Sequence, residues 1–407
     1  MEKLIQESVL SHFGLVEDPR VQGRCKHSLI DVIAISVCAR ICGAESFVEM
    51  EEFGIQREAW FREFLSLENG IPSHDTLARV FSILDSKALE NAFLQWTKCV
   101  TKKLGVSPRI SLDGKSLNGT CRGFNQPSRP LILVNVFCHA TGLTLAQTEA
   151  PSTGNAESSA AMECLEALDI EKTLISVDAG LGKKTVLKKI REKKAHYVTP
   201  VKADSKLRFK ELIKHVNQAK KLKKVRVIRS TEKSRDRVEI RECRIISPAG
   251  LSGRFRESFP ETQCVIEMKR VRNTRDLRYV VQQRDKKGKI RYLVNTNKSG
   301  RKQTTETILY VSSCKLSPES ALREIRAHWG IENQLHWSLD VIFNEDGNRV
   351  RDKVTARNLA VIRKIAFNLL QNCTEKGSKR VKMKRAAWNS NYLQKLLLAQ
   401  DSKGRNF

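Results

Sequence analysis

Acidic and imidazole side chains recur at four-residue intervals in the segment 318–342. His328, Glu332, His336 and Asp340 follow one another at this spacing, which places them on one face of an α-helix. An apolar stripe beside them predicts that the helix also packs on a core; its members are Leu322, Ile325, Trp329, Leu335, Leu339 and Ile342. A helix of this kind can position a carboxylate in an active site. The chemistry of that site then depends on which other acids lie near the carboxylate.

Two more acids end predicted strands. Asp113 closes the strand Ile110–Asp113, and Asp178 closes Leu174–Asp178, 65 positions later. Neighbouring strands of a mixed sheet can bring such residues together, where three carboxylates would repel one another without a divalent cation. Oxygen-rich sites suit Mg²⁺ or Mn²⁺, and two such ions about 3.5–4 Å apart can promote phosphodiester cleavage. Asp113, Asp178 and Glu332 are therefore predicted to be catalytic residues and metal ligands.

Each of these side chains has another interpretation. An aspartate at a strand end is commonly a turn or cap residue, and Glu332 fits an ordinary helix surface. His328 and His336 either ligate a softer metal together with Glu332 or make hydrogen bonds beside the site. Trp329 and Trp337 are interpreted as packing residues and not as platforms for stacked bases.

The chain is strongly basic. Its 407 residues include 73 Lys and Arg against 45 Asp and Glu, a formal net charge of +28. This excess favours a polyanionic partner such as a nucleic acid, since released counterions drive binding to phosphate backbones; the alternative is a solvated basic surface. Double-stranded DNA is the partner that the family resemblance described below implies. The predicted phosphate-binding residues are Lys115, Lys202, Lys220, Lys221, Lys223 and Lys224.

Cysteine usage and hydropathy indicate the compartment. The eleven cysteines form no C-x-x-C pair, so no zinc motif is present in the sequence. The N-terminal residues lack the pattern of a signal peptide, and no apolar run reaches the length of a membrane span. We therefore expect a cytoplasmic protein in a reducing compartment, with no membrane partner.

The fold class predicted from these patterns is α/β. Residues 1–104 form a helical N-terminal domain that includes a buried helix around Leu29–Cys38, and the turn Gly70–Pro72 belongs either to a DNA-reading helix-turn-helix or to ordinary bundle helices. Three antiparallel strands followed by β-α units then predict an RNase H-like mixed sheet in residues 105–373. A β-rich insertion, about 206–310, alternates basic and apolar residues, which predicts a basic face. Residues 374–407 form a basic tail with one short helix near its end.

Several sequence blocks resemble bacterial insertion-sequence DDE transposases of the H-repeat-associated kind. The blocks nearest the predicted acids are Leu112–Ser116, Val177–Ala179, and His328–Asn333 with Leu335–Trp337. Others are Asp18–Arg20, Lys26–His27, Ile41–Ala44, Gly70–Thr76, Phe343–Asp346, Asn358–Ala360 and Asn368–Leu370. The resemblance covers most of the chain.

The resemblance implies an RNase H-like core with an N-terminal association domain and a β-rich insertion before the last acid. It also implies metal-dependent cleavage and strand transfer at the ends of the element, with Asp113, Asp178 and Glu332 as the catalytic acids. The implied partners are terminal-repeat and target DNA, with a homodimer in the synaptic complex. The implied location is the bacterial cytoplasm, on the nucleoid when bound.

The chain departs from the family pattern near the predicted acids. Related transposases often have a Tyr and an Arg before the Glu and a Lys after it, where this chain has Ile325, His328 and Leu339. The segments Gly180–Lys183 and Lys202–Ser205 also differ from the expected Met-Gly-Cys-Gln-like and Lys-Gly-Asn-Gln sequences. Three functions remain open: an active transposase, a catalytically inactive or domesticated DNA-binding derivative, and a structure-specific nuclease.

Overall fold

The computed structural model describes residues 10–14, 16–21, 23–104, 109–121, 129–151, 156–202, 206–221, 225–234, 237–275, 280–284, 290–294 and 301–398. These residues form two compact units. The first unit comprises residues 1–176, 192–195 and 327–407, and the second comprises residues 177–191 and 196–326. Each unit is described by itself.

The first unit begins with helices, as predicted. They are α1 Leu10–Phe13, α2 Leu29–Ile41, α3 Phe47–Gln56, α4 Glu58–Phe61, α5 His74–Ile83 and α6 Ser86–Leu104. Ser28 caps α2 by accepting a hydrogen bond from the Asp31 amide, and α2 is buried around nearly its whole circumference. Helix α5 buries Leu77, Val80 and Phe81, as a bundle helix does.

Four strands form the sheet of the first unit. They are β1 Arg109–Leu117, β2 Leu131–Cys138, β3 Leu143–Glu149 and β4 Leu174–Val177, and α7 Ala156–Ala167 joins the last two. Their order in the sheet is β3-β2-β1-β4. The β1–β2 and β2–β3 pairs are antiparallel, and Asp113 lies opposite Asn135. This order of strands confirms the predicted RNase H-like α/β fold.

The second unit contains the predicted β-rich insertion. Its elements are α8 Lys184–Glu192 (whose last residue belongs to the first unit), β5 His196–Pro200, α9 Lys206–Lys221, β6 Arg226–Ser234, β7 Arg237–Ile246, α10 Gly253–Ser258, β8 Cys264–Arg275, β9 Val280–Arg284, β10 Ile290–Val294 and β11 Arg301–Ser312. Strands β5, β11, β8, β7 and β6 are neighbours in that order, and β9 pairs with β10. Val198, Ile266, Met268 and Leu322 lie in its hydrophobic core. Helix α9 occupies a segment for which the sequence predicted no helix.

The C-terminal helices complete the chain. Helix α11 spans Pro318–Gly330 and continues as a π-helical segment, Ile331–His336, and α12, Trp337–Val341. The long helix α13, Lys353–Asn372, packs against α2, α5, α6 and β3 of the first unit. The Asn358 amide on α13 donates to the carbonyls of Phe81 and Leu84. The first unit therefore contains both the N-terminal helices and most of strands β1–β4.

The predicted basic tail is largely helical over its described residues. Helices α14 Lys379–Trp388 and α15 Ser390–Leu397 occupy it. Lys382 donates to the carbonyls of Leu370 and Cys373, and Leu393, Leu396 and Leu397 are buried. The sequence analysis predicted a single helix here; the second one, α14, was missed. None of the described helices is long and apolar enough to cross a membrane.

Candidate active site

Asp113 lies in the middle of β1, on the edge of the buried core. Strand β1 continues to Leu117, four residues beyond the predicted end. One carboxylate oxygen, Oδ1, accepts a hydrogen bond from the Gly114 amide at 2.9 Å, and Oδ2 lies 3.7 Å from Nδ1 of His336. Asp113 is half-buried, so its oxygens face a polar, partly open site and not solvent alone.

The π-helical segment changes the predicted arrangement of the acid-and-histidine helix. A π turn holds one more residue than an α turn, so it rotates all later side chains relative to an α-helix. His328 hydrogen-bonds to two serines, His336 faces Asp113, and Asp340 contacts Lys115. His328, His336 and Asp340 thus face β1, as the prediction of a shared face required, whereas Glu332 is exposed.

Asp178 follows β4 and belongs to the second unit. Its two carboxylate oxygens accept hydrogen bonds from the amides of Gly180 and Leu181, at 2.9 and 2.8 Å. Small residues suit this turn, since a Cβ added to Gly182 would lie 2.3 Å from the Thr199 hydroxyl. The segment Gly180–Lys183, in which the chain departs from its family's pattern, thus forms the turn that orients the Asp178 carboxylate.

A hydrogen-bonded group of two serines and two histidines lies beside the acids in the first unit. Nδ1 of His328 is 2.9 Å from the Ser176 hydroxyl and 3.2 Å from the Ser111 hydroxyl. Ser111 also bonds to Ser176 and, at 2.6 Å, to Nε2 of His139. We call Ser111, His139, Ser176 and His328 the Ser–His tie. Sequence analysis missed three of its members; their one sequence signal is a serine two residues before each aspartate.

His139 predicts a measurable acid sensitivity. Burial, together with the positive charge of His328 and Arg109, lowers the pKa of His139 from 6.5 to about 4. Between pH 6.5 and 4 the unfolded chain binds a proton at His139 that the folded chain does not bind. The free energy of unfolding therefore decreases as the pH falls from 6.5 towards 4. The expected slope is about 1.4 kcal/mol per pH unit. Urea unfolding of wild type and His139→Asn across this range measures the effect. The free energy of unfolding of the variant should fall less steeply with pH, by this slope, and equal slopes would contradict a lowered pKa of His139.

Lys115 lies in an ion-pair cluster that the sequence did not predict. Its ammonium is 2.7 Å from Asp340, 3.4 Å from Glu345 and 3.2 Å from Asp346, and its side chain is 7% exposed. Burial by itself lowers the pKa of Lys115, but these three carboxylates outweigh it and raise the pKa above its usual value. An ammonium held in this way is not available to a phosphate, so the structure gives no support to the predicted DNA contact of Lys115.

Glu345 is the buried centre of this cluster. It lies 3.8 Å from Arg363 as well as 3.4 Å from Lys115. Burial raises its pKa, but the positive charges of Lys364, Arg363 and Lys115 outweigh burial and hold the pKa below its usual value. The Lys364 ammonium, itself buried, donates to Gln147 at 2.8 Å. The cluster therefore links β1, which carries Asp113, to β3, to α13 and to the loop after α12.

The other predicted DNA-binding lysines belong to the second unit. Lys202 and Lys221 are exposed, so both can reach a phosphate. Lys220 forms an ion pair with Glu267. Lys223 and Lys224 lie outside the described residues.

The strands of the second unit carry a mixed-charge surface where a basic face was predicted. Arg244 contacts Glu242 and Glu267, both at 2.8 Å, and Arg241 contacts Glu232 and Glu239. Arginines 229, 270 and 272 also pair with glutamates. Cross-strand pairing thus neutralises part of the charge that the alternating pattern suggested, and the described strands carry paired acids and bases in place of the predicted basic face.

The donor chemistry of the three predicted acids fits a hard divalent cation. Asp113, Asp178 and Glu332 offer carboxylate oxygens, which Mg²⁺ and Mn²⁺ prefer. Within the part of the chain that the structure describes, no three His, Cys, Asp or Glu side chains are grouped closely enough to hold a metal ion.

The strand order defines an RNase H-like fold, with Asp113 within β1 and Asp178 directly after β4. Residues 107–369 match the family described as the transposase DDE domain, and residues 10–97 match the one described as DDE_Tnp_1-associated. The first match covers more than half of the 407 residues. The chain belongs to the DDE transposase family.

Relatives of similar length support this assignment. YncI of Escherichia coli O157:H7, whose name assigns it to the transposases provisionally, is 32% identical over 96% of this chain and 94% of its own. YhhI of Escherichia coli strain K12, an H repeat-associated protein named in the same provisional way, is 28% identical over 96% of this chain and 98% of its own. A solved piggyBac transposase synaptic complex with hairpin DNA covers 97% of this chain and 79% of that one, at 11% identity and a TM-score of 0.39, a likeness too distant to interpret.

Proposed function

We propose that this chain is an active transposase that cleaves the ends of its own insertion sequence and joins them to target DNA, using Asp113, Asp178 and Glu332. Membership of the DDE transposase family supports a transposase function. We propose in addition that its reaction depends on a divalent metal ion and includes strand transfer. The proposed substrates are terminal-repeat and target DNA, held by a homodimer that pairs two ends. The proposed place of action is the bacterial nucleoid.

The observation that carries this proposal is the bond between Ser111 and Ser176. It joins β1 to β4, which are neighbours in the sheet. Asp113 is the second residue after Ser111, and Asp178 is the second residue after Ser176. The matched two-residue spacing from the bonded serines supports a shared role for the two acids.

The acids have separate roles in the proposed reaction. Asp113 and Asp178 would hold the divalent ions, with Gly114, Gly180 and Leu181 amides orienting their carboxylates. Glu332 would complete the site and help to position the attacking water or 3′-hydroxyl. When bound, the ions would supply charge for activating the attacking oxygen and stabilising the leaving oxygen. Exposed Lys202 and Lys221 would contact the DNA backbone.

An in vitro reaction with labelled DNA tests the proposal. The substrate carries the inverted repeats that flank the reading frame, and a plasmid serves as the target. With Mg²⁺ or Mn²⁺ we expect a nick or break at the repeat ends, followed by joining of the 3′ ends to plasmid DNA. EDTA should abolish both steps without releasing the DNA.

Two other outcomes would favour the alternative functions. Specific binding to the repeats without cleavage in either metal would indicate an inactive or domesticated DNA-binding protein. Cleavage that depends on DNA shape and leads to no joining would indicate a structure-specific nuclease. Either result would contradict an active transposase.

A further inference from the structure

The Ser–His tie has one member on each element that carries, or leads to, a predicted catalytic acid. Ser111 precedes Asp113 by two residues, Ser176 precedes Asp178 by two, and His328 precedes Glu332 by four. Nδ1 of His328 reaches both hydroxyls, at 3.2 Å to Ser111 and 2.9 Å to Ser176. A single imidazole thereby bridges β1, β4 and α11 within the first unit.

The environment of the tie makes these bonds costly to lose. Ser111 is fully buried and Ser176 is 6% exposed, so a hydroxyl deprived of its partner would stay desolvated without a hydrogen bond, which destabilises the folded protein. His139 closes the group at 2.6 Å from Ser111. The His139 ring also limits how closely α11 approaches the end of β2, since a Cβ on Gly330 would lie 3.3 Å from Nδ1 of His139.

The tie fixes the relation between the two strands and the helix. A strand that slips by one residue turns every side chain to the opposite face, and the Ser111–Ser176 bond opposes such a slip between β1 and β4. The imidazole fixes the rotation of α11 immediately before the π-helical segment. Metal ligands depend on such supporting contacts, and their loss typically lowers metal affinity about 10–100-fold.

We infer that His328 is a positioning residue, which joins Ser111 and Ser176 and thereby orients the elements of the first unit that bear Asp113 and Glu332 for a divalent cation. The inference rests on the proposed function. His328 is turned towards the two serines of its own chain. The residue thus contributes to the site through its neighbours and needs no contact with DNA.

Binding of Mn²⁺ alone, followed by electron paramagnetic resonance, tests the inference in the full chain. His328→Leu and Ser111→Ala should weaken binding about 10–100-fold, as loss of an outer-shell partner does. His328→Asn retains a polar nitrogen near the position of Nδ1 and should restore most of the affinity. Ile325→Val, on the same helix and buried in the core of the second unit, is the matched control for mild destabilisation and should bind Mn²⁺ as wild type does.

Cleavage of repeat-end DNA by the same variants separates the inference from the proposed function. The inference is overturned if wild type and His328→Leu bind Mn²⁺ equally tightly and cleave DNA equally fast. That result would leave the proposed function intact. The inference is also overturned if Ile325→Val weakens Mn²⁺ binding as much as His328→Leu does. Wild type that neither binds Mn²⁺ nor cleaves would overturn the proposed function, and the inference with it.

Discussion

Asp113→Asn is expected to abolish cleavage of the repeat ends while the protein still folds and binds DNA. The amide keeps the shape of the side chain, and its oxygen can still accept the bond from the Gly114 amide. What is lost is the negative charge that a divalent cation requires. The loss of rate should exceed the roughly 100-fold effect of removing an outer-shell partner, because a ligand itself is removed.

The measurement is the single-turnover rate of end cleavage in Mg²⁺ and in Mn²⁺, with a gel-shift assay of the same protein for DNA binding. Glu171→Gln is the matched control, since Glu171 is an exposed acid of the same unit and its loss changes the net charge equally. The control should cleave at the wild-type rate. Wild-type cleavage by Asp113→Asn would remove Asp113 from the active site.

Glu345→Gln is expected to destabilise the fold by about 3–5 kcal/mol, the usual cost of breaking a buried ion pair. Glu345 is 3% exposed and offsets the charges of Lys115, Arg363 and Lys364. The neutral amide would leave these buried ammonium and guanidinium groups without their buried counter-ion. Guanidinium unfolding followed by circular dichroism measures the effect.

The neighbouring acid provides the control for this prediction. Asp346 contacts the same ammonium at 3.2 Å, but its side chain is 38% exposed, so Asp346→Asn should cost less than about 1 kcal/mol. Lys115→Met combined with Glu345→Leu should recover part of the lost stability, because an apolar pair can replace a buried ion pair. Equal unfolding midpoints for wild type and Glu345→Gln would show that the cluster contributes nothing to stability.

The fold was largely predictable from local patterns. The apolar run after Ser28 predicted the buried helix α2, and the strand patterns around Asp113 and Asp178 predicted β1 and β4 in a mixed sheet. These elements depend on side-chain periodicity and caps, which the sequence displays directly. Helix α9 was missed because its basic residues were interpreted together with the strands that follow.

The π-helical segment Ile331–His336 was not predictable from spacing. Four-residue periodicity assumes an unbroken α-helix, and the extra residue of a π turn changes the orientation of the side chains around it. His336 and Asp340 face β1, whereas Glu332 is exposed. Trp329 and Trp337, interpreted as packing residues, are 40% and 52% exposed. Because a π turn depends on tertiary packing, periodicity in a single sequence carries no signal for it.

The Lys115 cluster and the arginine pairs were hidden for a related reason. The 73 basic residues of the chain indicate a polyanionic partner, but composition does not show which of them are already paired. Lys115 meets Asp340, Glu345 and Asp346 only because α12 and the loop after it fold against β1. Contacts between residues more than 200 positions apart require the fold itself.

The most direct test of an active DDE transposase is single-turnover cleavage of repeat-end DNA by wild type and Glu332→Gln in Mn²⁺. Glu332 is exposed, so the substitution should leave folding and DNA binding unchanged and isolate the chemical step. We expect cleavage and strand transfer by wild type, and no detectable product from Glu332→Gln. Equal rates of cleavage by the two proteins would contradict a catalytic site built on Glu332.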